Sequence, residues 1–242
     1  MERTLISSIT HRDHPIAAPI TPGNLDRLLR RAALPEGARI LDLGCGWGEW
    51  SLRALELVPS ATADGVDLSP VAVSTAGRAA AARGLSDRLT LHEMSATEFS
   101  SEQQYDLVLC VGATHAFQGL KGTMDAVARF VRPGGLALIG EAFWERTPAP
   151  EVVAAIGAYP DLAGTVAAAE SEGWLAVYGH VSTLAEWDEY EWSWTGTLAR
   201  WAAANPGPDG DQALAVAREH RELWLNGYRE ALGFVTLLLQ RV

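Results

Sequence analysis

Three glycines alternate in Gly44-Cys45-Gly46-Trp47-Gly48, straight after the apolar run Ile40 to Leu43 and just before Glu49-Trp50-Ser51-Leu52. Glycine has no Cβ, so a turn built this way lets a ligand approach the backbone itself. The spacing is not that of a phosphate-cradling P-loop, because no Lys-Ser/Thr pair follows the last glycine. Nor is it the G-x-G-x-x-G dinucleotide fingerprint. Asp42 precedes the turn, and Asp67 lies 25 residues after Asp42 at the end of a second short strand pattern, Ala61 to Ser69. A carboxylate in that place can accept hydrogen bonds from both hydroxyls of a ribose. The competing reading is a solvated Asp opening a turn at Ser69-Pro70. Two further groups have chemistry available. The imidazole of His115 can take a proton from an O–H, N–H or S–H nucleophile. Glu141 can bind a polar or cationic substrate or orient His115. The bland alternatives are a hydrogen-bonded histidine and a solvated glutamate.

These residues need a scaffold that brings them to one edge. The pattern predicts strands at Ile40–Leu43, within 61–69, at Arg88–Glu93, at Tyr105–Val111 and at Leu136–Gly140, with helices between them. One helix starts at Glu49. Another runs from Val71 to Arg83, with Pro70 in its first turn and Gly84 stopping it. A third covers Met124 to Val131, followed by a turn at Arg132-Pro133-Gly134-Gly135. Residues 1–23 read as irregular because Pro15, Pro19 and Pro22-Gly23 oppose a long helix, and Asn24 reads as the N-cap of the next one. Strands alternating with helices argue for a parallel, doubly wound α/β sheet. Ligands of such sheets lie beyond the carboxyl ends of the strands, which places Asp67, Gly112 to Phe117 and Glu141 around one site. The tail departs from this rhythm: a helix at Leu162–Glu172, a sixth strand at Trp174–Val181, helices near Leu184–Ala204 and Gln212–Leu232, and a last strand at Phe234–Leu239.

The glycine turn with Asp42, followed by Asp67, resembles motif I and the ribose-binding acid of the class I S-adenosylmethionine (SAM)-dependent methyltransferases. The resemblance covers roughly residues 36 to 141 and implies SAM as cofactor. It also implies a seven-stranded, mostly parallel sheet whose last strand is antiparallel, with the tail helices inserted between strands six and seven. Gly44, Cys45, Gly46 and Gly48 then pass close to the methionine portion, and Asp42 orients this loop or meets the ammonium through water. Leu68 covers one adenine face. Ser95 and Ala96 stand where the family places an acidic or polar residue against the adenine amino group. Val111 and Gly112 lie beside the methyl donor. The cofactor supplies the electrophile, so the protein mainly binds, aligns and excludes water.

The substrate side is read from the aromatic residues. The chain carries nine Trp, and they concentrate in its later part. Trp187, Tyr190, Glu191, Trp194, Leu198 and Trp201 fall on one helical face, which serves as packing or as part of a pocket. Carboxylates beside aromatic faces suit cationic or planar heteroaromatic ligands. His14, His115, Phe143, Trp144, Tyr190, Glu191 and Trp194 are the candidate substrate contacts, with Phe143 and Trp144 walling an aromatic slot or closing the core. The expected organisation is one domain over 1–242, with a cap segment at 1–35 and a helical roof at 182–232. The tail, through Trp187-Asp188-Glu189-Tyr190-Glu191-Trp192 and Leu232-Gly233-Phe234, is similar to that of bacterial small-molecule methyltransferases.

Composition narrows the partners. The formal charge is −11, Lys121 is the only lysine, and no basic cluster exceeds a pair, which argues against a nucleic-acid substrate. Cys45 and Cys110 lack metal-ligand spacing, and His11 and His14 have no evident third ligand, so no metal is expected. No apolar run is long enough to span a bilayer, and no secretory signal pattern opens the chain, which reads as cytoplasmic. The oligomeric state is not legible. The expected reaction is methyl transfer from SAM to an N, O or S nucleophile of a small molecule. The alternatives are a SAM-binding fold with non-methylating chemistry or a regulatory role, and a macromolecular methyltransferase.

Overall fold

The computed structural model describes Met1 and residues 3–170 and 173–242. Its elements in chain order are α1 (Arg3–Thr10), α2 (Pro22–Ala32), β1 (Arg39–Leu43), α3 (Glu49–Leu57), β2 (Thr62–Asp67), α4 (Pro70–Ala82), β3 (Leu89–Glu93) and β4 (Tyr105–Val111). A 3₁₀ turn (Thr114–Phe117), α5 (Leu120–Phe130), β5 (Val131–Trp144), α6 (Pro150–Ile156), α7 (Leu162–Ala169) and β6 (Trp174–Val181) follow. The chain ends with α8 (Leu184–Ala204), α9 (Pro208–Leu223), a π turn (Trp224–Tyr228) and β7 (Leu232–Arg241). The seven strands form one sheet in the order β3-β2-β1-β4-β5-β7-β6. β1 to β5 are mutually parallel, and β7 runs antiparallel to both β5 and β6. The two long helices α8 and α9 lie between β6 and β7 in the chain, the insertion the sequence pattern implies.

Strands buried on both faces explain the near-continuous apolar runs. On one face Ile40, Leu107, Leu109, Leu138 and Phe234 pack against Leu25 and Leu28 of α2, Trp50 and Leu55 of α3, and Trp187 of α8. On the other Leu41, Val108, Ile139 and Leu237 pack against Met124 and Val127 of α5 and Ala169 of α7. A third small core joins Ile9 of α1 to Leu198 and Ala202 of α8 and Ala213 and Ala217 of α9.

Several local expectations are corrected. Residues 1–23 are not irregular throughout: α1 forms because Ile9 buries itself against α8 and α9, a tertiary gain that an eight-residue helix lacks in isolation. Thr21, not Asn24, caps α2; its side chain accepts from the Asn24 N–H at 3.3 Å, and Pro22 sits in the first turn. α5 begins four residues earlier than Met124. β5 is much longer than Leu136–Gly140. Its far end is held by β7, paired as far as Trp144 with Leu232, while Arg132 to Gly135 sit in a register shift against β4. α9 starts at Pro208 and gives way at Trp224 to the π turn, so Leu232 belongs to the last strand. The predicted end of the helix at Leu162–Glu172 falls partly on Ser171 and Glu172, outside the described residues.

Candidate active site

The glycine turn leaves β1 at the middle of the sheet. All three glycines have left-handed backbone: φ is +80° at Gly44, +53° at Gly46 and +77° at Gly48. A Cβ on Gly44 would stand 2.4 Å from Ala113 Cβ, so packing as well as conformation demands glycine there. A Cβ on Gly46 would meet nothing within 4 Å; the space over this residue is open.

Asp67, at the carboxyl end of β2, holds the loop in place. Its Oδ2 accepts the Gly46 N–H and its Oδ1 accepts the Ser69 N–H, both at 2.8 Å. Each carboxylate oxygen can accept a further hydrogen bond. Leu68 beside it is 72% exposed, a large apolar side chain presented to solvent at the sheet edge. Asp42, by contrast, is 3% exposed and accepts the Ser51 hydroxyl of α3 at 2.8 Å. Burial pushes its carboxyl up to about 7; the Ser51 hydrogen bond opposes this, and the Asp67 charge adds to it. Asp42 therefore ties the loop to α3. The Cys45 thiol is buried and pushed up, first by desolvation and then by Asp42 and Asp67. Ser95 turns its Oγ onto Thr97, 2.7 Å from Oγ1, and Ala96 is buried next to it.

The fourth strand ends in half-buried Val111 and exposed Gly112, whose φ is +74°. A Cβ on Gly112 would lie 3.6 Å from the carbonyl oxygen of Ala17, so the segment 11–21 crosses the sheet edge as a strap. Ala17 itself has φ +56°, a strained value for a residue with a side chain. The strap is clasped to α8. Asp13 accepts from Arg200 and, at 3.0 Å, from the Thr197 hydroxyl. Glu186 accepts the Thr21 N–H at 2.9 Å and Asn24 Nδ2 at 2.8 Å. The same Glu186 completes a capping box with Thr183. Its hydrogen bonds outweigh desolvation and hold its carboxyl near 2.

His115 lies exposed in the 3₁₀ turn after β4. Glu141 is buried; its Oε1 accepts its neighbour's Ala142 N–H at 2.9 Å, and the Thr114 side chain hydrogen-bonds to it. Burial raises this carboxyl, with both hydrogen bonds acting against the rise. No hydrogen bond joins Glu141 to His115 among the described residues, which corrects the expectation that one orients the other. Thr114, one residue earlier in the turn, takes the carboxylate instead. Phe143 and Trp144 are both buried but belong to the cores on opposite faces of the sheet, as successive strand residues must, so they do not wall one slot. Phe143 covers Gly233, where a Cβ would meet its ring at 2.2 Å, and Trp144 meets Tyr159 edge-on at 6.2 Å.

The aromatic face of α8 divides. Tyr190 faces the strap, with the His14 ring edge-on at 5.6 Å and the His11 ring stacked at 6.2 Å. Burial lowers both imidazoles, His11 to about 4. Trp187 bridges Tyr190, Tyr228 and Phe234. Glu191 turns the other way: 2% exposed, it accepts from the Tyr228 hydroxyl at 2.7 Å and contacts His220 Nε2 at 2.6 Å. Trp194 stacks on His220 with ring centroids 4.1 Å apart. The structure thus brings His14 and Tyr190 together and takes Glu191 and Trp194 to α9, a correction to their grouping as one set of substrate contacts. Sequence reasoning did not assign Asp13 and Glu186 as the clasps of the strap, nor the contacts of Glu191 with His220 and Tyr228. Of these only Glu186 had a legible signal, Thr-x-x-Glu before an apolar helix face.

The open space over Gly46, the spare acceptor capacity of Asp67 and the exposed Leu68 fit a nucleoside carrying a short polar chain along the backbone. Comparison with known proteins agrees. Residues 40–135 match a family described as a methyltransferase domain. The Escherichia coli protein YjhP is 33% identical over 225 residues, 90% of each chain. A SAM-dependent methyltransferase from Geobacter sulfurreducens, solved in complex with S-adenosyl-L-homocysteine (SAH), superposes with a TM-score of 0.91 at 30% identity over 98% of both chains. A ubiquinone biosynthesis O-methyltransferase of Xanthomonas campestris is 30% identical over 141 residues, 57% of this chain and 56% of that protein. Glycine loop, strand order and relatives that span 90% or more of the chain converge: the chain belongs to the SAM-dependent methyltransferases and uses SAM as its cofactor.

Proposed function

We propose that the protein transfers the methyl group of SAM to an N, O or S nucleophile of a small molecule at the carboxyl edge of the sheet, under the strap and the roof helices. SAM supplies an activated methyl on a cationic sulfur, so the chain's own work is binding, alignment and exclusion of water. Asp67 takes the ribose hydroxyls with the lone pairs its loop contacts leave free. Leu68 covers an adenine face, and Ser95 and Ala96 meet the adenine edge. Gly44, Gly46 and Gly48 let the backbone run along the methionine portion, while Asp42 fixes the loop from below. His115 receives the proton that the acceptor sheds. Glu141 positions the turn that carries His115, through Thr114.

The observation that carries the small-molecule reading is the double closure over the sheet edge. The Ala17 carbonyl stands over Gly112, and the strap is bound to α8 by Asp13 and Glu186. Such an entrance suits a compact acceptor better than a folded protein or RNA. The relatives named ubiquinone biosynthesis O-methyltransferases add support by their names. The deciding experiment is a screen of small amines, alcohols, phenols and thiols with methyl-labelled SAM. Label in a small product supports the proposal; stoichiometric label in a protein or RNA fraction, with none in small products, overturns it. His115→Ala should then lower turnover and leave SAH affinity intact; unchanged turnover from pH 6 to 9 removes His115 from the chemistry.

A further inference from the structure

The strap and the first turns of α8 enclose a cavity of about 230 Å³. Glu49, the residue after Gly48, forms part of its wall, so it abuts the loop assigned to the methionine portion. His14 forms another part, and the carbonyl of His14 accepts the N–H of Ala17, the residue over Gly112. The cavity therefore adjoins the start of α3, one residue past the donor loop, and is walled on its other sides by the strap and α8. Ile16 and Ile20 supply its apolar surface.

Its charge is distinctive once each group is matched with its partners. Asp13 is neutralised by Arg200, and Glu49 by Arg53 and Arg83. Glu186 remains ionised, bound to N–H donors and to His180. Glu189 is exposed, and the contact described for its carboxylate is a long one, 3.5 Å from the Ser193 hydroxyl. Its charge reaches His14. His14 in turn has Nδ1 buried without a hydrogen-bond partner. The walls offer one uncompensated carboxylate, a second anion held permanently charged, an imidazole nitrogen lacking a partner, and no free cation among the described lining groups.

We propose that this cavity receives the methyl acceptor and that the accepting atom is a nitrogen, of a small amine or N-heteroaromatic ring, with Glu189 as its counter-charge and His14 as its hydrogen-bond partner. The inference rests on the methyl-transfer reading above. A neutral amine or ring nitrogen is a nucleophile as it stands, whereas a hydroxyl must give up its proton as it reacts and a carboxyl is already an anion, both disfavoured among these carboxylates. In the transfer, the nitrogen pair forms the N–C bond as the C–S bond breaks with its pair left on sulfur. The positive charge thereby passes from sulfur to nitrogen, into the field of Glu189 and Glu186. Any proton on the methylated nitrogen leaves afterwards to solvent or to His115.

The test uses three probes of like shape and different charge: tetramethylammonium, tert-butanol and pivalate. Each is titrated into the full chain, with and without saturating SAH, while the methyl resonances of Ile16 and Ile20 are followed. Tetramethylammonium should give saturable shifts and the other two should not. Glu189→Gln should weaken the cation at least tenfold, ~1.4 kcal/mol, with SAH affinity unchanged; Glu189→Asp should keep the preference for the cation. Pivalate or tert-butanol binding as well as the cation overturns the proposal, as does the absence of a saturable shift with the cation, or full cation affinity in Glu189→Gln. Should Glu189→Gln fail to bind SAH, the charge preference of the unaltered chain and of Glu189→Asp decides. Failure of the unaltered chain to bind SAH would instead sink the methyl-transfer reading, an outcome the same titration reports separately.

Discussion

Asp67 spends one lone pair of each oxygen on the protein and keeps others for a ligand. Asp67→Ala should therefore weaken SAH on the order of 2–4 kcal/mol, through the lost ribose bonds and a loosened Gly46. Calorimetry showing unchanged affinity would remove it from the site. Asp42 makes a prediction of the opposite kind, about stability. Its carboxyl stands near 7 in the folded chain against an ordinary 3.8, so the folded state holds the proton more tightly than the unfolded one. The stability from this group is complete below about pH 4 and is lost as pH rises through 7. Asp42→Asn keeps an acceptor for Ser51 and removes the titration. It should gain on the order of 4 kcal/mol over the parent at pH 8 and little at pH 4. Parallel melting profiles of the two proteins across that range would show that Asp42 titrates normally.

Helix α8 is where one sequence pattern serves three neighbours. Trp187 is 8% exposed and touches Tyr190, Tyr228 and Phe234, so Trp187→Ala should cost about 3–5 kcal/mol. Trp192, 50% exposed, should tolerate the same change within about 1 kcal/mol. Chemical denaturation of the two variants separates a structural stripe from a decorative one; equal losses would contradict the packing described. The sequence shows why α8 was readable and its contacts were not. Thr183 and Glu186 mark its start, and the 3.6-residue period marks its apolar face. Periodicity does not say which neighbour each edge of that face meets, so Tyr190 and Glu191, adjacent on one stripe, part to the strap and to α9. The same limit applies to β5. Its apolar core was legible at Leu136–Gly140, but its extension to Trp144 exists only because β7 lies beside it. Short strands such as β1 and β4 carry their whole signal locally; so does the glycine turn, where φ and close approach both demand glycine. The Glu141–Thr114 contact depends on the meeting of two distant segments and leaves no trace in either.

At the scale of the whole molecule, cofactor binding and folding are linked. If SAH binds the folded chain alone, a concentration 100 times its Kd should add about 2.7 kcal/mol. For a domain of this size that raises Tm by roughly 5–10 °C. Differential scanning fluorimetry should show the rise in the parent and a much smaller one in Asp67→Ala at the same SAH concentration. Equal shifts would mean that SAH is held elsewhere. The strand order has a consequence for how the protein is made. β6 has β7 as its sheet neighbour, and the strap bonds across 165 to 187 positions to α8. As the chain leaves the ribosome, the five parallel strands can assemble from residues 39–144. Until the ten-residue β7 emerges, β6 waits with neither edge hydrogen-bonded, and the strap, made well before α8, waits for that helix to fasten it. The nascent protein can thus form its glycine turn well before the strap is fastened over the sheet edge.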